Sequence, residues 1–251
     1  MRQYEGMPIL ERTTIAEYPD WLQRAQAHGA FVLIDKPYGC TSFDVVAFVR
    51  SQARLRRVGH AGTLDPLATG LLVLGIGKAT KALPAFQQMS KTYVATLKLG
   101  AVTETGDAEA PEHLFSSEVT ITEEQLQHVL QRFRGVIEQI PPPFAAVKYC
   151  GQRSYHLARA GILVPPKPRT VLIAELELLQ VVLPYIRLRL VCSTGTYVRA
   201  LARDIGIALG CGAYIVELRR TAIGNYRVED ALSPEEFAHC AAYHAGVYPS
   251  I

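Results

Sequence analysis

The chain contains no apolar run near the roughly 20 residues that a membrane helix needs, and no basic N-terminal segment leading into an apolar core. Neither a membrane span nor a secretory leader is expected, and the expected location is the cytoplasm. Cysteine is sparse. The five are Cys40, Cys150, Cys192, Cys211 and Cys240, an odd number with no C-x-x-C pair. That argues against a disulfide framework and against a zinc site, and leaves reduced, structural thiols. The seven histidines form no H-E-x-x-H. Nucleotide loops also fail on inspection. Gly70 and Gly75 have the G-x-x-x-x-G spacing, but Ile76 stands where the lysine is required, and Ala79 follows Lys78 where Ser or Thr is required. A dinucleotide fingerprint beginning at Gly75 breaks at Thr80, where a third glycine belongs. No cofactor and no metal are therefore expected, and no internal repeat is detectable.

What the chain does contain is ordinary globular material: 251 residues, 49% hydrophobic and 20% charged, enough for one large domain or two small ones. The net charge of +3 hides an asymmetry. Residues 104–124 hold seven carboxylates and no Lys or Arg, so the other 16 carboxylates face all 26 basic side chains. A basic body with a segregated acidic segment suits an anionic partner such as nucleic acid, although an unevenly charged solvated surface would look the same.

Periodicity supplies the elements. Ile15, Tyr18, Trp21, Leu22 and Ala25 fall at helical spacing ahead of Gly29, so residues 1–30 read as an extension carrying a docking helix. Residues 31–35 read as a buried strand and Lys36 to Gly39 as a turn. Residues 42–53 read as a helix that Thr41 or Ser42 caps by accepting from free backbone N–H groups. Strands are expected over 71–76, 91–100, 170–180 and 185–192. The last alternates Ile186, Leu188 and Leu190 with Arg187 and Arg189, one buried face against one wet face. Helices are expected over 123–133, capped by Thr122, over 199–209, ended by Gly210, and from Ser233 onward. The fold class is mixed α/β, with a largely antiparallel sheet and helices packed on it.

One stretch organises the rest: Gly59-His60-Ala61-Gly62-Thr63-Leu64-Asp65-Pro66-Leu67-Ala68-Thr69-Gly70, with a single carboxylate at its centre. Pro66 fixes its own φ and biases Asp65 away from the α region, so Asp65 is presented on a non-helical segment between a helix and a buried strand. Asp-Pro alone is ordinary turn chemistry. The full string resembles the G-H-x-G-x-L-D-P-x-A-x-G motif of the TruB family of tRNA pseudouridine synthases, with Ala61 where Thr is usual. The resemblance implies that Asp65 is the catalytic carboxylate and that His60 shapes the flipped-out RNA.

Further strings extend the resemblance over about residues 31–232. Asp35-Lys36-Pro37 matches an opening D-K-P, whose turn packs near the active loop in that family. Residues 76–81 match L-G-x-A-T-K and place Lys81. Lys91-Thr92-Tyr93 matches K-x-Y, where the family stacks Tyr93 on the target base. On its own, a strand Tyr is as well explained by packing. Residues 103–107 match T-D-T-x-D with Glu104 in place of the first Asp; Asp107 is kept and is expected to order the site or to contact base edges. Cys192-Ser193-Thr194-Gly195-Thr196-Tyr197-Val198-Arg199 matches C-S-x-G-T-Y-x-R, which implies Tyr197 in the pocket and Arg199 paired with the catalytic Asp. An Arg so placed favours the ionised carboxylate. Leu218, in the L-R-R-T string of residues 218–221, maps to a pocket wall.

Between 134 and 169 basic and aromatic residues interleave: Lys148, Tyr149, Arg153, Tyr155 and Arg159. That composition suits a clamp on RNA, with cations on phosphates and rings on bases, and equally a Pro-bounded surface hairpin and helix. It matches an insertion of the family. Arg54, Arg56 and Arg57, ahead of the active loop, suit phosphate contacts or a solvated helix end. The resemblance implies a pseudouridine synthase fold: a catalytic domain over 31–232 with its clamp at about 134–169, then a C-terminal helix and tail over 233–251. The further small RNA-binding domain that many bacterial members carry is not expected. The implied activity is conversion of uridine to pseudouridine at the T-loop uridine (position 55) of tRNA, with the T-arm stem-loop as partner and the protein acting as a monomer. Two other classes share some of these features. An RNA-binding module or chaperone would use the clamp without needing Asp65, and a nucleotide-dependent enzyme would need a loop that is broken here.

Overall fold

The computed structural model describes residues 6–116, 119–142, 148–149, 152–153 and 167–244. In chain order the strands are β1 (Ile9–Leu10), β2 (Ala30–Lys36), β3 (Val58–His60), β4 (Thr69–Ile76), β5 (Lys91–Leu99), β6 (Ala101–Thr103), β7 (Glu112–Leu114), β8 (Gly135–Gln139), β9 (Lys148–Tyr149), β10 (Gln152–Arg153), β11 (Arg169–Val182), β12 (Tyr185–Cys192), β13 (Ala213–Ile223) and β14 (Tyr226–Arg227). The helices are α1 (Tyr18–Ala27), α2 (Ser42–Gln52), α3 (Leu83–Gln88), α4 (Glu123–Gln131), α5 (Val198–Ala208) and α6 (Pro234–His244). The mixed α/β class and the mostly antiparallel pairing are as expected. The residues group into two compact units, Met1–Thr92 with Arg219–Ile251, and Tyr93–Leu218.

In the first unit the strand order is β1-β2-β4-β13, with β3 also on β4 and β14 on β13. β2 and β4 run antiparallel, with Ala30 opposite Ile76 and Lys36 opposite Gly70. Side chains alternate across a strand, and here both faces are covered. Val32, Ile34, Leu72 and Leu74 join one cluster with Trp21, Val45, Val49 and Phe237, from α1, α2 and α6. Phe31, Leu33, Leu71 and Val73 join a second with Leu83, Phe86 and Ile223. Burial on both faces is why these two strands read as unbroken apolar runs. The N-terminal helix is part of this core: Tyr18, Trp21 and Ala25 are buried, and Trp21 Nε1 donates to Phe31 O at 2.8 Å.

Thr41 caps α2 through a reciprocal pair of bonds, its hydroxyl taking Asp44 N while the Asp44 carboxylate takes Thr41 N. Ser42, the other expected cap, turns its hydroxyl elsewhere. Lys91, the first residue of the K-x-Y string, is buried, and its ammonium takes the Gln87 and Met89 carbonyls at the end of α3. Such a cation offsets the partial negative charge of a helix C-terminus.

In the second unit the order is β13-β5-β12-β11-β8. β11 pairs antiparallel with both β12 and β8. Ile186, Leu188 and Leu190 of β12 are buried, as the alternation required. α4, capped by Thr122, packs on β11 and α5. The acidic stretch is folded rather than a loose run: β6 and β7 form an antiparallel hairpin, with Thr103 opposite Glu112.

Candidate active site

The Asp65 string lies wholly in the first unit, and it is held at several points. It begins as a strand rather than a loop, because β3 pairs with β4 from Val58 to His60 and Ala61 N continues to Val73 O at 2.9 Å. Leu64, one residue before Asp65, is clasped by the buried Ser42 hydroxyl, which accepts from Leu64 N at 2.8 Å and donates to Leu64 O at 3.1 Å. Pro66, one residue after, presents its carbonyl to Gly39 N at 2.9 Å and to the Lys36 ammonium at 3.3 Å. Lys36 is fully buried and also takes the carbonyls of Pro37 and Cys40. The Lys-Pro turn therefore does brace the Asp65 turn, through a buried cation whose charge is met by carbonyl oxygens. Asp65 itself is half-buried and non-helical, as Pro66 dictates.

Two arginines complete the support, and sequence reasoning gave neither a role. Arg219 forms a two-pronged pair with Asp35, at 3.0 and 2.7 Å. Arg220 is 1% exposed and donates to Leu71 O at 2.8 Å and Gly62 O at 3.2 Å. Both sit in the L-R-R-T string, where two adjacent arginines on a strand were the available signal. Where they stand, β13 meets β4, with Arg220 opposite Gly70. Gly70 has φ +105°, and a Cβ there would lie 2.2 Å from the Arg220 carbonyl. Glycine is what permits both that backbone conformation and that approach.

His60 is half-buried. Burial holds its pKa below the ordinary imidazole range, assisted by the charge of Arg220 and opposed by the Gly62 backbone. That shift favours the neutral imidazole, which suits contact with a base better than it suits charge. Lys81 is exposed on the turn after β4.

The second unit holds the remaining predicted residues. Arg199 and Asp107 are both buried and form an ion pair at 3.6 Å. Arg199 also donates to Thr105 O at 2.9 Å. Asp107 accepts from the Thr105 hydroxyl at 2.6 Å and from Glu109 N at 3.1 Å. The acidic loop thus folds around a buried carboxylate, Asp107. A bridge from Asp107 to Ile215 of β13 fixes this loop on the sheet.

Tyr197 stands at the N-terminal cap position of α5. The buried Gln139 side chain holds its backbone from both sides, accepting from Tyr197 N at 2.9 Å and donating to Tyr197 O at 3.1 Å. The Arg169 guanidinium lies 5.8 Å from the Tyr197 ring centre, within cation–π range. Gln139 carries no role in the sequence reading, since a lone Gln on a strand gives no local signal of this contact. Tyr93, on β5, is 9% exposed, and Leu218, on β13, is 8% exposed. Of the clamp residues, Lys148, Tyr149 and Arg153 lie on the β9–β10 hairpin, where Gln152 pairs with Tyr149; Tyr155 and Arg159 lie outside the described residues.

Comparison with known proteins agrees with these motifs. The sequence model of the TruB family pseudouridylate synthase N-terminal domain matches residues 50–198, and that of the tRNA pseudouridylate synthase B C-terminal domain matches residues 199–246. A tRNA pseudouridine synthase B of Phocaeicola vulgatus is 49% identical over 215 residues, spanning 83% of this chain and 92% of that one. That of Bacteroides thetaiotaomicron is also 49% identical, over 219 residues, with 83% and 91% covered. Among solved structures, a Cbf5-Nop10-Gar1 complex aligns with a TM-score of 0.70 at 28% identity, covering 90% of this chain and 59% of the other. An H/ACA RNP bound to a substrate RNA containing 2'-deoxyuridine aligns with a TM-score of 0.67 at 26% identity, covering 90% and 58%. The chain belongs to the TruB family of pseudouridine synthases.

Proposed function

We propose that the protein isomerises uridine to pseudouridine in tRNA, at the T-loop uridine (position 55), as a monomer acting on the T-arm. The N1–C1′ bond breaks, the uracil turns, and a C5–C1′ bond forms; C5 gives up its proton and N1 gains one. The observation that carries the reading is the immobilised Asp65 turn. Ser42 holds the residue before Asp65, and Lys36 with Gly39 holds the residue after. A reacting carboxylate gains from such preorganisation, since misplacement by about 1 Å can cost roughly 100-fold.

Asp65 acts at the sugar, as nucleophile at C1′ or as base toward a sugar proton; both roles need the carboxylate ionised. The motif assigns Arg199 to sustaining that ionised state, with Tyr197 serving proton transfer at C5 and Leu218 the pocket wall. Tyr93 stacks on the uracil, offsetting about 1–3 kcal/mol of the unstacking cost. His60, neutral, holds the RNA opened around the extruded base. Lys81 and the clamp residues Lys148, Tyr149, Arg153, Tyr155 and Arg159 contact RNA, and Asp107 keeps its loop in place.

The test uses an unmodified tRNA transcript, digested to nucleosides after incubation and separated by chromatography. One pseudouridine per tRNA is expected with the wild-type protein. Asp65→Asn should form none while still binding the transcript. Binding without any product from the wild-type protein would favour the RNA-chaperone reading instead.

A further inference from the structure

Two large rings stand in solvent beside the Asp65 turn. Tyr38 is 70% exposed and Phe43 is 64% exposed. Each is next in sequence to a residue that tethers this turn: Tyr38 to Gly39, whose N–H holds Pro66 O, and Phe43 to Ser42, whose hydroxyl holds Leu64. The rings therefore ride on the two tethers that flank Asp65. Neither stacks on another ring among the described residues. Packing does not explain them: α2 turns Val45, Val46 and Val49 to the core and leaves Phe43 outside.

Charge gives the occupant. Seven residues beyond Phe43, two turns along α2 on the same stripe, is the exposed Arg50. The exposed Arg54, Arg56 and Arg57 follow as the helix exits toward β3. None of the four takes part in an ion pair among the described residues. The one carboxylate in the first turn of α2, Asp44, is tied to Thr41 in the cap. Exposed rings followed by unpaired guanidiniums are the two components of a surface for single-stranded nucleic acid: faces for unstacked bases, cations for phosphates.

We infer that Tyr38 and Phe43 form a stacking platform for bases next to the target uridine, with Arg50 on the adjoining phosphates. The inference rests on the proposed activity toward RNA. The rings would hold neighbouring bases splayed while the target base is out of its stack.

The experiment compares wild type, the double variant Tyr38→Ala/Phe43→Ala, the aromatic-preserving Tyr38→Phe/Phe43→Tyr, and Arg50→Gln. Binding to an unmodified T-arm stem-loop RNA is measured against salt, alongside KM and kcat. Because both rings are exposed, circular dichroism should show each variant folded like wild type. The double alanine variant should bind about 5- to 100-fold more weakly, with the loss carried in KM and an unchanged salt slope. The aromatic-preserving variant should restore binding. Arg50→Gln should flatten the slope of log K against log salt by about 0.7. Binding within twofold of wild type for the double alanine variant overturns the platform. A wild-type protein that binds the RNA but forms no pseudouridine overturns the proposed activity instead, while the binding series still decides the platform.

Discussion

At the scale of single residues, the Asp65 turn depends on groups that are buried and bonded. Arg220 is the largest of these. Its removal would orphan the carbonyls of Leu71 and Gly62, at about 1–3 kcal/mol each. Arg220→Met should therefore lower unfolding stability by about 2–5 kcal/mol in urea titration, and lower turnover with it, because Gly62 belongs to the Asp65 string. His60 gives a pH prediction. Its folded pKa lies below the unfolded value of about 6.5, so the unfolded chain binds the proton more readily. Its stability contribution is complete above that value and is lost as the pH falls below it. Between pH 7.5 and 5.5 the wild-type protein should lose more stability than His60→Gln. Equal losses would show that the imidazole is not the group responsible. The arginine contacts are not legible residue by residue: Arg219 finds Asp35 from 184 positions away, and no local pattern reports such a pairing.

At the scale of elements, much was legible, and for a physical reason. Caps are local chemistry, so Thr122 is legible directly, Thr41 as one of two candidates beside Ser42, and the helix opened by Ser233 as well, whose hydroxyl accepts from Glu236 N at 3.1 Å. Alternation is local too, which is how β12 showed its buried face. The start of the Asp65 string carries no strand signal of its own, because three residues of β3 are too few to show a period; partners on β4 define them. Ser42 was legible as a possible cap but not as the clasp on Leu64, a contact 22 residues away. Ser42→Ala would leave the Leu64 N–H buried and unpaired, costing about 1–3 kcal/mol. It should also reduce kcat more than RNA binding, which stopped-flow turnover and filter binding would separate. Gly70→Ala should be harsher, since its Cβ would fall 2.2 Å from backbone and its φ is positive. Soluble expression and thermal melting would register a loss beyond the roughly 1–3 kcal/mol of backbone strain alone.

At the scale of the whole molecule, the charge asymmetry proved to have internal uses. Of the seven carboxylates in residues 104–124, Asp107 is buried against Arg199. Glu112 takes Lys98 and the Tyr214 hydroxyl, each at 2.6 Å, and Glu123 and Glu124 sit in the first turn of α4, where negative charge is favoured. These four carboxylates therefore serve the fold, and on the proposed function the basic remainder is what an RNA would meet. Affinity for tRNA should fall steeply between 50 and 200 mM salt; a flat profile would contradict a phosphate-led interface.

The measurement that bears most directly on the central claim is a single-turnover incubation of the purified protein with an unmodified T-arm stem-loop and with full tRNA. Pseudouridine-specific mass labelling would locate the product. Product is expected at the T-loop uridine, none with Asp65→Asn, and that variant should retain RNA binding. Product formed at wild-type rate by Asp65→Asn, or no product on either RNA, would contradict the claim.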